Sequence, residues 1–360
     1  MFKVLDKYII KQFLVTFFFA IFLLTLIAVV IDITEKIDNL ISNQAPFKAV
    51  IFDYYFNFIP WIGLLLAPLF VFISVIYFTS RLTANTEVIC ILNGGISFYR
   101  LLLPYLFTAC ALALFFGYYN HNILPKQNAA RIQFEETYST KKDDKTYRQN
   151  YHFQLSNDTF FYAQFYTENT NNASNITLEV IDSNTVKYRL EAQNCQYDSI
   201  SNKWKIKHYK IRKYDSPKDS LTTGVDTTMY LPIQAEDFIL EVYDTETMTT
   251  DKLSEFIDDQ VKKGAEDVSF FELEKYRRTA IPFSVIILTV IGVAMTTHKV
   301  RNGMGIYLVL GLLISGAYII IQQFSSVFAT KGNLDPLIGA WIPNIIFSIV
   351  AIILLIRAPK

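Results

Sequence analysis

Six long uncharged apolar stretches, three on each side of one polar segment, constrain this chain more than anything else in it. They are Phe13–Ile31, Tyr54–Ser80, Leu101–Asn120, Thr279–Thr297, Asn302–Thr330 and Pro336–Ile356. Each supplies at least the roughly 18 residues that a helix needs to cross a hydrocarbon core of about 30 Å. One soluble core could not hide so much apolar surface. The expected fold class is an α-helical membrane protein with six transmembrane helices, three plus three, around an inserted domain. The first stretch is longer than a signal-peptide core and lacks a small-residue cleavage pattern, so it is expected to remain as a span.

Lysine and arginine in the short loops set the expected orientation. Lys3, Lys7 and Lys11 precede the first span, Arg81 and Arg100 flank the second connection, Lys299 and Arg301 lie in the fourth, and Arg357 and Lys360 close the chain. The opposite loops hold Lys36, Lys48 and Lys331, diluted by Asp32, Glu35, Asp38, Asp53 and Asp335. Both termini are therefore expected in the cytoplasm and the polar segment, from about His121 to Arg278, outside. A net charge of +0 gives no argument for nucleic acid. Cys90, Cys110 and Cys195 are too dispersed for a disulfide in the polar segment, and no Cys/His spacing suggests a metal.

The polar segment changes character along its length. Short runs of Tyr, Phe, Val, Ile and Thr between Asn, Asp, Ser and Gly clusters predict strands at Thr159–Tyr166, Ile176–Ile181, Tyr188–Gln193, Trp204–Ile211 and Phe238–Val242. Asn157-Asp158, Asn169–Asn172, Asp182–Asn184, Ser199–Asn202 and Asp215–Lys218 supply the turn chemistry. That many strands points to a sandwich or a jelly roll rather than a lone sheet. Phe160–Tyr166 is apolar or aromatic on both faces: it is either a central core strand or one wall of a groove for an acyl chain formed by Phe160, Phe161, Tyr162 and Phe165. Lys203, Lys205 and Lys207 share one strand face, which serves to discourage edge pairing or to bind anionic sugars and phosphates. From Thr250 the apolar positions Leu253, Phe256, Ile257 and Val261 take helical spacing, and a second helix over 269–278 is expected to run into the fourth span.

The connection between the second and third spans, Ser80–Ser97, reads as a short amphipathic helix. Thr83 or Asn85 is placed to cap it, Val88, Ile91 and Leu92 form its apolar side, and Gly94-Gly95 is placed to stop it with positive φ. Such a helix is a docking element or a connector on lipid headgroups. Several segments in order, Val4–Ile9, Arg81-Leu with Glu87 and Gly95-Ile-Ser97 followed by Pro104, Glu272–Arg278 with Pro282, and Leu337–Pro343, resemble the LptF/LptG family of lipopolysaccharide export permeases. The resemblance covers essentially the whole chain. It implies an ABC transporter in which this chain and a second permease of the same family sit on a cytoplasmic LptB-like ATPase dimer. In that arrangement ATP and Mg are used by the ATPase, and this chain binds no cofactor. It further implies a jelly-roll periplasmic domain that passes lipopolysaccharide to an LptC/LptA-like bridge.

The resulting layout is 1–120 for spans one to three with a coupling helix at about 82–95, 121–278 for the periplasmic domain, and 279–360 for spans four to six. Within the domain, the jelly roll takes about 150–245 and a helical connector 250–278. The resemblance places ATPase coupling at Glu87, Arg81, Gly94 and Gly95. It places a lateral gate between the first and fifth spans, with Phe17, Leu24, Ile27, Lys36, Gly311, Ser315 and Gly316 as candidates. The sequence departs from the family at Asp32 and Glu35, where some members carry basic residues suited to lipid phosphates. There is no GxxxxGK[ST] loop, HExxH or GxSxG, and no ionisable pair inside the spans, which argues against an enzyme. The alternative function is a cassette-type scaffold that transmits force without carrying lipid.

Overall fold

The computed structural model describes residues 4–139, 149–167, 170–182, 185–199, 201–214, 219–239, 242–263, 265, 268–297, 304–332 and 334–358. Of the positions weighed above, Lys3, Lys299, Arg301, Lys360 and the Asp215–Lys218 turn lie outside the described residues. In chain order the elements are α1 (Val4–Ser42), α2 (Phe47–Ala49), the π-helical segment π1 (Val50–Tyr55), α3 (Phe56–Leu65), α4 (Ala67–Ala84), α5 (Glu87–Asn93), α6 (Phe98–Asn122), α7 (Leu124–Phe134) and a second π-helical segment π2 (Glu135–Ser139). Then come β1 (Gln149–Ser156), β2 (Thr159–Thr167), β3 (Asn172–Asp182), β4 (Thr185–Asp198), β5 (Lys203–Lys213) and β6 (Ser220–Met229). The chain continues through α8 (Glu236–Ile239), α9 (Val242–Thr247), α10 (Thr250–Lys262), α11 (Val268–Thr296), α12 (Met304–Lys331) and α13 (Pro336–Arg357). Two compact units result, residues 1–140, 246–250 and 272–360 in one, and 141–245 and 251–271 in the other.

In the helical unit α1, α4, α6, α11, α12 and α13 are long and apolar enough to cross a membrane. The three-plus-three fold class therefore holds, with one change inside the second apolar run. That run is two helices, α3 and α4, because Pro68 in the first turn of α4 has no N–H to continue the ladder; Leu66 at the junction leaves helical geometry at φ −97 and ψ 1. Pro60, Pro282 and Pro343 stay inside continuous helices. Residues 121–140 fall in the helical unit rather than in the polar domain, since Phe134 of α7 packs with Tyr54 and Phe58.

The hub of this unit is α4, most of whose side chains are buried, whereas α1 is largely exposed along its apolar length. One side of α4, with Phe70, Val71, Val75 and Phe78, meets Ile9, Phe13 and Phe17 of α1 and Leu101, Tyr105 and Ala109 of α6. Its other side, with Phe72 and Ile76, meets Leu288 and Ile291 of α11, Tyr307 and Tyr318 of α12 and Phe347 of α13. Several polar side chains buried in the membrane-crossing helices find partners on neighbouring helices, as a water-free medium demands. Thr83, a candidate cap for α5, is instead buried in α4, where Oγ1 donates to the carbonyls of Thr79 at 3.0 Å and Thr296 at 2.7 Å. Asn344 Nδ2 ties α13 to Ala280 O at 2.7 Å.

The β unit is one antiparallel sheet with strands in sequence order, β1 to β6. This is the all-β insert expected between the two sets of spans, and its described strands form a single sheet running as an up-and-down meander. The second layer comes from the segment Leu231–Phe238, whose apolar side chains close over one face of the sheet. Phe238, expected in a strand, lies in the helical turn α8, with α9 beginning at Val242. Its ring stacks on Tyr166 at 4.5 Å and meets Phe153 at 5.0 Å and Trp204 at 5.6 Å. A strand would present that ring to only one neighbouring layer; a helical turn drops it into the centre of the aromatic cluster. Trp204 Nε1 donates to Ile233 O at 2.9 Å and pins the covering segment.

Alternation along the strands breaks on one line across the sheet. On β2 the core side chains are Phe161 and Ala163, then Tyr166; on β3 Leu178 and Ile176, then Ala173; on β4 Leu190 and Ala192, then Cys195. Asn175 at φ 52 and His208 at φ 52 adopt the left-handed conformation where β3 and β5 meet that line. A left-handed residue advances the pleat by one position, so the same face stays apolar while its parity changes.

Candidate functional site

A trough of about 690 Å³ runs along α1. Phe17, Ile21 and Thr25 of α1 form its floor with Gly63 and Leu64 of α3 and Phe116 of α6, and Phe18, Phe22, Leu26 and Val30 form its open rim. Gly63 faces α1, where a Cβ would meet Ile21 Cδ1 at 3.5 Å, an ordinary packing contact. The lining is almost wholly apolar, the composition of a site for hydrocarbon.

Just beyond Val30 the chemistry inverts. Asp32, 8 % exposed, accepts from Tyr54 Oη at 2.9 Å and Tyr55 Oη at 3.1 Å, both carried on π1. Lys36, one turn on, lies 3.0 Å from Asp32 and 2.7 Å from Glu135 on π2, donates to Tyr54 Oη, and sits over the Tyr54 ring. Arg131 of α7 continues the ladder, 3.5 Å from Glu135 and 3.2 Å from Glu246, with its guanidinium 4.2 Å above the Trp61 ring. Burial pushes the Glu246 carboxyl above its ordinary range, and Glu274 adds to the shift while Arg131 and Arg277 oppose it. Charges thus alternate from Asp32 through Lys36, Glu135 and Arg131 to Glu246. Both π-helical segments deliver side chains to this ladder, and such one-turn irregularities recur at functional sites.

Lys36→Gln is expected to destabilise the helical unit by about 2–4 kcal/mol, because it removes the cation shared by two carboxylates that are mostly removed from water. Thermal unfolding in detergent reads this directly. Asp32→Asn with Lys36→Gln should cost less than the sum of the two single changes. Strict additivity would mean that the two groups are not coupled.

The positions proposed for the gate separate. Phe17 is in the trough floor, Leu24 packs part-buried against the α1–α4–α6 core, Ile27 is exposed, and Lys36 belongs to the ladder. On α12, Gly311 faces its own chain, where a Cβ would lie 2.4 Å from Ile76 Cδ1, and Ser315 is buried with Oγ on the Gly311 carbonyl at 2.9 Å. A Cβ on Gly316 meets open space. In the β unit, Phe161 is sealed in the core, Phe165 leaves the core face at the parity break, and Phe160 and Tyr162 lie on the opposite, open face with His152. Phe160, Phe161 and Tyr162 nevertheless line one hollow of about 400 Å³ together with His152 and Phe153, and Phe165 is not part of that lining.

At the other end of the helical unit, α5 carries Glu87 in its first turn and buries Val88. Asn85 Nδ2 reaches Glu87 Oε1 at only 3.4 Å, and Arg81 is exposed. The residue before the helix is Thr86, at φ 62 and without a side-chain cap, so neither Thr83 nor Asn85 caps α5. The helix ends at Asn93; of the two glycines that follow, Gly95 takes the expected positive φ, 82, while Gly94 keeps a negative one. Sequence reasoning missed the ladder, although the i,i+4 pairs Asp32/Lys36 and Arg131/Glu135 are legible in it.

The chain matches the family described as lipopolysaccharide export system permease LptF/LptG over residues 7–357. No curated protein sequence matches it. A match of that extent, on a chain with six membrane-crossing helices around a β unit, is decisive: this protein belongs to the LptF/LptG family of lipopolysaccharide export permeases.

Proposed function

We propose that this chain is one of two permease subunits of an ABC transporter in the inner membrane, with both termini cytoplasmic and the β unit periplasmic. It extracts lipopolysaccharide, taking acyl chains along α1 and passing the lipid to a periplasmic bridge. ATP and Mg are used by a separate ATPase dimer that docks on α5 through Glu87. What supports this reading, beyond the family, is the trough that ends under a charged ladder: an apolar channel with a polar cap matches a molecule with acyl chains and a charged headgroup. Lateral entry places the exposed rim of α1 against the fifth span of the second permease, and Leu312 and Leu313 on α12 offer the corresponding exposed face here.

Photo-crosslinkers at Phe18 and Phe22, read in inner membranes with and without ATP turnover, test it. Capture of lipopolysaccharide at both rim positions, lowered when ATP is hydrolysed, is expected. Phe70, 1 % exposed in the helical core, should capture none. Labelling by bulk phospholipid alone at Phe18 and Phe22 would remove the trough from the lipid path. Depletion of the chain in cells should in addition leave lipopolysaccharide at the inner membrane. Normal surface lipopolysaccharide would favour the scaffold reading.

A further inference from the structure

The first turn of α1 holds a carboxylate where an apolar residue would insert more cheaply. Asp6 is 2 % exposed, and Nη2 of Arg100 lies 2.6 Å from its Oδ2. The pair joins the start of α1 to the first turn of α6. The Asp6 carboxylate is buried while the Arg100 side chain is 36 % exposed; a pair with one buried charge adds little stability over packed apolar side chains, and the best-attested use of such groups is to fix register between elements. Here it fixes the register of two helices that otherwise meet through apolar rows such as Ile9 and Phe13 against Leu101 and Tyr105. Apolar rows alone permit sliding; a charge-assisted hydrogen bond of 2.6 Å holds one register.

Both ends of this link are significant. Arg100 stands three residues past Ser97, which caps α6 by accepting from Arg100 N–H at 3.4 Å, and Ser97 closes the turn that leaves α5. Val88 of α5 is buried in the same cluster as Ile9, Phe13, Phe98 and Leu101. From Asp6, α1 runs unbroken past the trough residues Phe17 and Ile21 to Asp32. We infer that Asp6 and Arg100 are a positioning pair that carries displacement of α5 into α1, so that movement at the docking helix reaches the trough. This rests on the proposed docking of an ATPase at α5.

The experiment uses the full transporter in nanodiscs, in a Cys90→Ser, Cys110→Ser background, with spin labels at the exposed positions Asn93 and Phe19. In the otherwise unaltered chain the distance between the labels should shift on nucleotide binding. Asp6→Asn should keep ATPase association and hydrolysis, lose that shift, and lower lipid export by about tenfold or more, the range of a coupling free energy between sites. Asp6→Asn with Arg100→Gln, which strands no charge, carries the same expectation and serves if the single variant does not accumulate. Arg100→Lys keeps the charge and should keep most of the shift. An unaltered shift and export in the Asn variants would overturn the pair's role alone. Loss of ATPase association in them would reassign the pair to building α5. A shift absent even without Asp6 or Arg100 substitution would overturn the inference together with the docking reading beneath it.

Discussion

Glu87→Lys is expected to abolish lipopolysaccharide export while the chain still folds and inserts. The carboxylate stands in the first turn of α5, half-buried, and its one hydrogen bond among the described residues is the long contact from Asn85. Nothing in the fold therefore depends on it. Val88, fully buried, anchors the helix regardless of the residue beside it. Glu87 is also the only acid between Arg81 and Arg100, so a basic partner surface has no substitute there. Loss of a desolvated charge contact costs about 2–5 kcal/mol, and reversal adds repulsion to that loss. An ATPase association weakened by about 30- to 3,000-fold follows, since each 1.4 kcal/mol is tenfold. Copurification of the ATPase with the lysine variant, beside a thermal unfolding curve of the permease, separates lost docking from lost fold. Undiminished association and export would remove Glu87 from the contact. A shifted unfolding curve would give it a structural task that no contact described above explains.

How much of this was legible beforehand depends on the range of the forces involved. The spans were legible because hydrocarbon thickness and helix rise set a length that few other constraints produce, and all six appear, the third, fifth and sixth with nearly the expected ends and the first, second and fourth with ends displaced by about three turns. The break at Pro68 was a local rule that apolar composition hid. In the β unit, composition found β2 to β5 but missed β1 and β6, the two edges, where Gln149, Asn150, Gly224 and Asp226 dilute the pattern. Parity reasoning placed Phe161 and Phe165 on one face. It failed between them because the core face of β2 passes from Ala163 to Tyr166, on the line where β3 and β5 carry the left-handed Asn175 and His208, and nothing in strand propensity announces that. The ladder was harder still: Asp32, Glu135 and Glu246 meet through long-range packing, and only their i,i+4 pairings are local. Gly311 was read as an approach point for another chain because small residues serve any close helix pair; the neighbour that uses it is Ile76 of α4.

The covering segment of the β unit sets the last expected result, for which Cys195 is a natural reporter. Its thiol is 0 % exposed beneath the cluster centred on Phe238, and burial pushes it up to about 12 from an ordinary 9.0. Labelling by a maleimide therefore requires the cover to open, and in a Cys90→Ser, Cys110→Ser chain its rate measures the open population. Phe238→Ala removes a ring that touches Tyr151, Phe153, Tyr166 and Trp204, which costs about 3–5 kcal/mol when a cavity remains. Labelling of Cys195 should rise by about two to three orders of magnitude, with helix content unchanged. The same thiol gives a pH dependence of defined sign. Between about pH 9 and 12 the opened thiol releases its proton while the covered one keeps it, so the open state binds fewer protons and stability falls as pH rises, by at most about 1.4 kcal/mol per unit. Below that window the thiol contributes no slope, and Cys195→Ala should flatten the slope within it. If Phe238→Ala labels no faster than the parent chain, Leu231–Phe238 is not what seals the sheet, and protection of Cys195 comes from the strands themselves.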